Sequence, residues 1–446
     1  MSLNLVMNQF KLLHSKRFLP LFGTQFLGAF NDNVYKNALV ILIIFQGSTL
    51  YGIDTNYIVT LSAGIFILPF FLFSATAGQL ADKHEKSMLI RYIKILEIMI
   101  MSFAFIAFYF ESILMLIVLL FLMGTQSTLF SPLKYSIVPQ HLADHELTGG
   151  NGLLSMGTFL AILLGTILGG IVVSLESYGP LMIAGIVVIL AILGFLTSLF
   201  IPKAESAAPD LKINWHIISQ TFKIMQYARE NRSVFIAIIA ISWFWFIGAT
   251  YLSQVPAYSK STLGSNNEVV TLLLTMFSVG IGLGSLMCEK LSKGRIELGL
   301  VPLGAIGIIL FSIDIYFASQ YFVALSLPEG QMNASQFLDI SSSWRVLVDL
   351  MLIGLFGGFF IVPLNAMIQK RTIPNTRARV IAASNILNAL FMVISALATV
   401  GMLLLGFNIP QIFLFLGLLT IGVTGTLFLL QPEFVQRFTV WVRFNR

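Results

Sequence analysis

Of the 446 residues, 57% are hydrophobic and 10% charged, the mean hydropathy is +0.89 and the formal net charge is +6. A soluble domain carries about a quarter charged residues, so this composition excludes one and marks an integral membrane protein. Its apolar runs are unbroken over helix-length stretches, which excludes a β-barrel of alternating strands of about ten residues; nothing in it points to nucleic acid. The single cysteine, Cys288, excludes an internal disulfide and is expected to be a buried, inert thiol.

The chain opens on a polar, basic stretch, MSLNLVMNQFKLLHSKR, over residues 1–17. The apolar run behind it is too long and too poorly followed by a cleavage site for a signal peptide, so this stretch reads as a retained cytoplasmic lead-in. Twelve candidate spans follow, at 18–46, 55–80, 88–110, 112–137, 149–175, 179–201, 233–257, 267–293, 296–317, 344–370, 378–405 and 409–431. Each approaches the roughly 20 residues that carry a helix across about 30 Å of hydrocarbon. An even number puts both ends on one side. Of the 26 lysines and arginines, 21 fall in the N-terminal tail, 78–91, 134–148 apart from Lys134, 202–232, 289–297, 370–379 and 432–446, and the opposite connections hold only Lys260 and Arg345. That asymmetry places both termini in the cytoplasm. Lys36, Lys94 and Lys134 remain, within or at the ends of spans.

The first span contains FLGAFNDNVYKNAL, residues 26–39. Charge at the bilayer centre costs a few kcal/mol or more, so such groups usually face a polar cavity and carry function. Asp32 lies about 14 residues into the span, and a rise of 1.5 Å per residue puts it near the midplane. Lys36 follows at i+4, on the same face, in the order that lets the two charges partly neutralise one another. Asn33 and Asn37 form an adjoining stripe. The alternative is a buried ion pair that only fixes helix packing.

Between the second and third spans stands GQLADKHEKSMLIR, with Gly78, Asp82, Lys83 and Lys86 at the helix ends. It resembles the loop signature of the major facilitator superfamily, although His84-Glu85 replaces the usual glycine. In that signature the glycine permits close helix packing and the aspartate meets a helix N-terminus across the two halves; Gly78, Asp82 and Lys83 are thus candidate gate residues. The resemblance implies an all-α fold of two pseudo-symmetric six-helix bundles.

In the fourth span Lys134 follows Pro132, whose missing N–H should bend the helix; snorkelling to the headgroups is the other reading of Lys134. The connection 202–232 divides the chain into a first half, 1–201, and a second, 233–446. Pairing Pro132-Leu133-Lys134 with Pro363-Leu364-Asn365 and Asn151 with Asn385 suggests duplicated halves. A degenerate copy of the loop signature, Glu289-Lys290 with Lys293-Gly294-Arg295, falls where that repeat predicts it. Asn365, Gln369 and Asn388 put amide groups in the tenth and eleventh spans, for ligand contact or for interhelical hydrogen bonds. The seventh span offers Trp243, Trp245 and Tyr251 as an apolar cavity wall, an interfacial aromatic belt being the other reading, and Gln254 as a polar group. One charged wall and one apolar wall suit an amphiphile with a zwitterionic or anionic head.

Phosphate-loop, Cys-x-x-Cys and His-Glu-x-x-His patterns are missing from the sequence, and its five histidines fall in predicted cytoplasmic loops. No enzyme activity, cofactor or metal site is expected, and ATP-driven pumping by this chain is not.

Taken together, QFLGAFNDN at 25–33, GQLAD at 78–82, FSPLKYSIVP at 130–139, NGLLSMGTFLAILLGTILGG at 151–170 and GGFFIVPLNAMIQKR at 357–371 resemble the lysophospholipid transporter family of that superfamily. FNDN and SWFWF are most similar to the transporter portion of proteins fused to an acyltransferase and an acyl-ACP synthetase. This chain stops at Arg446, after the twelfth span, so those domains are expected to be separate. The resemblance implies transfer of lysophospholipids, mainly lysophosphatidylethanolamine, from the outer to the inner leaflet of a bacterial inner membrane, by a monomer. It places Asp32, Asn33 and Lys134 at the headgroup; Lys36 and Lys134 would pair with phosphate and Asp32 with the ammonium. Related transporters carry an arginine in the seventh span, and here only Gln254 is polar there. The competing readings are a proton-coupled exporter of a drug-like or siderophore-like solute, with Asp32 as the titrating carboxylate, and a membrane scaffold for a lipid-acylating enzyme.

Overall fold

Helix follows helix from Gln9 to Phe444 in the computed structural model, which describes residues 9–45, 49–50, 53–175, 178–323 and 330–444. Residues 1–8 of the predicted lead-in lie outside these. In order come α1 (Gln9–Leu12), α2 (Leu19–Phe45), a two-stranded hairpin of β1 (Thr49–Leu50) and β2 (Ile53–Asp54), α3 (Thr55–Lys83), α4 (Lys86–Tyr109), α5 (Ile113–His141), α6 (Leu147–Val173) and α7 (Gly179–Ser198). Then follow α8 (Ile217–Glu230), α9 (Arg232–Ser261), α10 (Asn267–Ser292), α11 (Leu300–Val323), α12 (Ala334–Asp339), α13 (Ser343–Arg371), α14 (Arg377–Leu404), α15 (Ile409–Leu430) and α16 (Glu433–Phe444). Among the described residues, ten helices are long and apolar enough to cross a membrane. Two others, α2 and α4, are 27 and 24 residues long and hold Asp32, Lys36, Lys94 and Glu97.

One packing scheme occurs twice. In the first group α2 lies on α6, α3 on α5 and α4 on α7; in the second α9 lies on α14, α10 on α13 and α11 on α15. The groups meet along two matching seams, α3 with α14 and α6 with α10. In lipid, helix association depends on close backbone approach and polar contacts rather than on burial from water. Gly165 and Gly169 of α6 supply that approach to α2: a Cβ on either would stand 2.6 Å from the carbonyl oxygen of Phe30 or Val34. Asn37 Nδ2 then donates to Thr166 O at 2.6 Å, using a polar group of the predicted stripe to tie the same pair of helices.

Two departures from the sequence reading matter. The ninth predicted span, 296–317, is displaced to Leu300–Val323, because Lys293 and Gly294, at φ of 53° and 71°, end α10 and an irregular turn precedes the next helix. The connection 202–232 contains a helix, α8, which buries Gln220, Ile224 and Ala228 on one face and packs on α3, α9 and α14. Both α8 and the terminal α16 are amphipathic surface helices, too short and too polar to register as spans.

Candidate functional site

Between Asn31 and Leu39 of α2 the fully buried positions are Asn31, Val34, Tyr35, Ala38 and Leu39. Asp32, Asn33, Lys36 and Asn37 lie between them and are half-buried, so the polar stripe is the open side of an otherwise enclosed helix. The predicted pairing of Asp32 with Lys36 does not form. Asp32 Oδ2 accepts from Ser127 Oγ of α5 at 2.7 Å, while the Lys36 ammonium stands 4.3 Å from the centre of the Phe66 ring in α3. Side chains of α5 and α3 reach the two charges first. Asn33 donates to Ala29 O in its own helix at 2.7 Å. The other oxygen of Asp32, Oδ1, is enclosed and has no hydrogen-bond partner among the described residues.

Behind Asp32 lies a pair that the sequence reading did not single out. Lys94 and Glu97, one turn apart on α4, are joined at 2.6 Å with 1% of each side chain exposed. Glu97 also accepts from Asn31 Nδ2 at 3.1 Å and Gln126 Nε2 at 2.9 Å. Gln126 Oε1 accepts in turn from Ser127 Oγ at 3.3 Å, so a hydrogen-bonded chain runs from the ion pair to Asp32. A lysine inside a span with a glutamate at i+3 was the signal that could have found it.

Lys134, on α5, donates to Thr158 Oγ1 at 3.2 Å and lies 4.8 Å from the Tyr135 ring centre. Thr158 is bonded to Gln25 Oε1 at 3.0 Å. Like Lys36, Lys134 has no carboxylate partner among the described residues.

Across from them the predicted wall is only partly realised. Trp245 is half-buried and stacks on Phe159 of α6 at 6.2 Å, an aromatic contact between the groups that Phe244 also makes, edge-on at 6.3 Å. Trp243 and Tyr251 instead lie inside the second group's own core; Tyr251 donates to Ser312 Oγ at 2.9 Å and stacks on Phe413 at 4.6 Å. Their helix presents only one of its faces to the first group. Gln254 is nine residues beyond Trp245, about 13 Å along the helix, and donates to its neighbour Ser253 at 3.4 Å, so the structure does not bring it to the site. Asn388 Oδ1 accepts from Ser242 Oγ at 2.9 Å, and Asn365 is half-buried. The second group also holds two carboxylates that the sequence reading did not mention: Arg345 forks onto Asp314 at 3.0 and 2.5 Å beside buried Asp349.

Gln369 belongs to the seam, not to this site. It exchanges hydrogen bonds with Asn151 at 2.6 and 3.2 Å and donates to Tyr135 O at 3.1 Å, joining the two groups at the end that carries the basic connections. Asp82, wholly buried, accepts there from the backbone N–H groups of Ala378 and Arg379 at 3.0 and 3.3 Å and from Arg379 Nε at 2.9 Å. A carboxylate at the first turn of α14 meets the positive end of the helix dipole. Gly78 permits the approach, since a Cβ would stand 2.8 Å from that of Ala382 and 2.9 Å from Arg379 Cα. Lys83 contributes its carbonyl to Ser206 Oγ. On the matching seam Glu289 stands at the first turn of α6, 3.1 Å from where a Gly149 Cβ would be. Lys370 with Asp144, and Gln9 Nε2 to Leu286 O at 3.0 Å, add further bridges. Nearby, hydrogen bonds from Arg371 hold the Glu433 carboxyl below the usual range.

The sequence profile of the Major Facilitator Superfamily matches residues 21–396. The chain belongs to this superfamily. Curated relatives of this facilitator include the lysophospholipid transporter LplT of Enterobacter sp. (strain 638), 28% identical over 363 residues, covering 80% of this chain and 81% of the relative. LplT of Klebsiella pneumoniae subsp. pneumoniae is 28% identical over 366 residues with the same coverage. Among solved structures, the human organic anion transporter MFSD10 superposes with a TM-score of 0.72 at 12% identity, over 93% of this chain and 99% of its own. The facilitator FucP in its outward conformation gives 0.66 at 15% identity, over 94% and 98%. These two likenesses concern the fold.

Proposed function

We propose that this facilitator moves lysophospholipids, lysophosphatidylethanolamine above all, from the outer to the inner leaflet of a bacterial inner membrane, where a separate acyltransferase or acyl-ACP synthetase restores the second chain. In this reading twelve helices span the membrane, with α2 and α4 as the two polar ones, both termini are cytoplasmic and a monomer suffices. The bridged basic end is then the cytoplasmic end, and the structure is the outward-facing form.

The observation that carries the proposal is the set of unmet charges in the first group. Asp32 has one unpartnered carboxylate oxygen, and the half-buried ammonium groups of Lys36 and Lys134 form no ion pair among the described residues: Asp32 attracts Lys36 only from beyond ion-pair distance, and aromatic rings and a hydroxyl are the nearest partners. A zwitterionic head supplies what each lacks: its ammonium donates to Asp32 Oδ1, and its phosphate draws Lys36 and Lys134. Two lysines would thereby stand in for the seventh-span arginine that the resemblance leads one to expect. The single acyl chain rests against apolar surface such as Trp245 or stays in lipid. Parting of the basic end while the opposite end closes would release the head to the cytoplasm.

The test is leaflet transfer in vesicles containing only the pure protein. Faster inward movement of labelled lysophosphatidylethanolamine is expected, unchanged by an imposed pH gradient. A rate equal to that of protein-free vesicles sinks the proposal, and a rate that follows the gradient favours the proton-coupled exporter.

A further inference from the structure

Away from the central stripe, the second group holds three charged side chains where α11 meets α13. Asp349 of α13 is 2% exposed, and its Oδ2 is enclosed with no hydrogen-bond partner among the described residues. Its neighbours direct their protons elsewhere. Arg345, one turn before it, gives Nε and Nη2 to Asp314 of α11 at 3.0 and 2.5 Å, and no ion pair joins it to Asp349. Two tyrosines of α9 are near enough to sense the Asp349 charge, and Tyr251 donates to Ser312 Oγ at 2.9 Å. Tyr258 is bonded to Ser319 Oγ at 2.6 Å; that serine donates to Ile315 O at 2.5 Å, so the tyrosine is the donor to it. From α10 no charge faces the site: Glu268 accepts from Ala334 N at 3.0 Å, and Glu289 and Lys290 lie at the basic end. Asp349 is also within hydrogen-bond reach of the Asp314 carboxyl. Two carboxyl groups bond one another only when one of them carries a proton.

We infer that Asp349 and Asp314 form a proton-binding site, in which Asp349 carries the proton and donates it to Asp314, tying α13 to α11. Asp314 is the ionised member, because the guanidinium fork is on it. The charge count agrees. With the proton in place, one guanidinium faces one carboxylate and the buried member is neutral. Without it, a second negative charge stands at 2% exposure, beside the first and with no cation of its own. The sign of the pH dependence follows from linkage. An aspartate of the unfolded chain gives up its proton near pH 3.9, about the ordinary value, whereas the folded pair keeps one proton above that. Stability from this site is therefore present at acidic pH and is lost as the pH rises through release of the shared proton. The contact between α11 and α13 would loosen in alkaline medium.

The experiment takes infrared spectra of the purified full chain, in which a protonated carboxyl shows a C=O stretch apart from that of a carboxylate. At about pH 7, well above the ordinary aspartate range, a protonated-carboxyl band is expected that is lost in Asp349→Asn and kept in Asp32→Asn. Asp314→Asn frees the Arg345 fork for Asp349, one turn away, and should abolish the same band; if Asp349→Asn does not fold, this variant decides. Thermal unfolding gives an independent reading. Asp349→Asn keeps a donor toward Asp314 without needing a proton, so its midpoint should gain on the parent's as the pH is raised from about 5 to about 9. A band that survives these two substitutions, or a difference in midpoint that stays constant over that range, overturns the inference. A parent midpoint that follows Na+ at fixed pH, with no such response in Asp349→Asn, identifies a metal ion as the occupant and overturns it as well. Transport is not measured, and neither aspartate belongs to the lysophospholipid site, so failure of that reading would leave this result standing.

Discussion

Asp32 in the centre and Asp82 at the basic end are carboxylates in an apolar chain, yet their oxygens are used differently. Asp82 accepts from two backbone amides and a guanidinium of the opposite group. Asp32 accepts from one hydroxyl of its own group and keeps Oδ1 unpartnered. A buried acceptor whose lone pairs are met within the protein stabilises the conformation that meets them; one left short costs about 1–3 kcal/mol until something supplies the donor. The seam is therefore built to hold a state, and the centre, in the proposed reading, would take a ligand. Lys94 and Glu97 stand between these cases, satisfied within one group and tied through Gln126 and Ser127 to the unsatisfied carboxylate.

The sharpest way to break this contrast is at the satisfied pair in the centre. Glu97→Gln deprives Lys94 of its ion-pair partner at 1% exposure, and loss of one partner of a buried pair costs about 3–5 kcal/mol. Thermal unfolding of the purified protein should show a much lower midpoint for Glu97→Gln than for Lys94→Met/Glu97→Leu, which removes both charges. Equal midpoints would mean that Lys94 finds another anion. Next in size is the effect on transport of Asp32→Ala. A hydrogen bond to a charged group is worth about 1.5–3 kcal/mol, so leaflet transfer should fall about ten- to a hundredfold while the unfolding midpoint stays near that of the parent. Undiminished transfer by a folded Asp32→Ala variant would remove Asp32 from the site.

How far the sequence foretells this contrast depends on whether a residue's neighbours lie on its own helix. The stripe of Asp32, Asn33, Lys36 and Asn37 is legible because helical periodicity alone puts these residues on one face. What each touches is not: Ser127 and Phe66 arrive from other helices, and they replace the ion pair that i+4 spacing predicts. The same limit explains Gln369, which looks like a ligand-binding amide until Asn151 is brought against it by tertiary packing. Asp314, Arg345 and Asp349 were readable as charges within apolar segments, but their clustering depends on how α11 meets α13. Helices α8 and α16 escape a search tuned to long apolar runs because each buries one narrow face.

The seam yields smaller effects, and their order tests its logic. Gly78→Ala puts a Cβ 2.8 Å from that of Ala382, and overpacking of that kind costs about 1–3 kcal/mol. The cost applies only where α3 and α14 touch, so it should move the conformational equilibrium toward opening of the basic end. Labelling of a cysteine placed at Asn385, buried beside that seam, should accelerate accordingly; an unchanged rate would show that the contact does not limit opening. The smallest effect is expected for Lys370→Gln. Lys370 and Asp144 bridge the same two groups, yet their side chains are 49% and 70% exposed, and an exposed pair is worth up to about 1 kcal/mol and is screened by salt. If Lys370→Gln accelerated labelling as much as Gly78→Ala, the closed state would depend on surface charge rather than on buried contacts at α14. A small acceleration that vanishes in high salt, beside a large one from Gly78→Ala that persists, would instead locate the holding energy in the enclosed part of the seam.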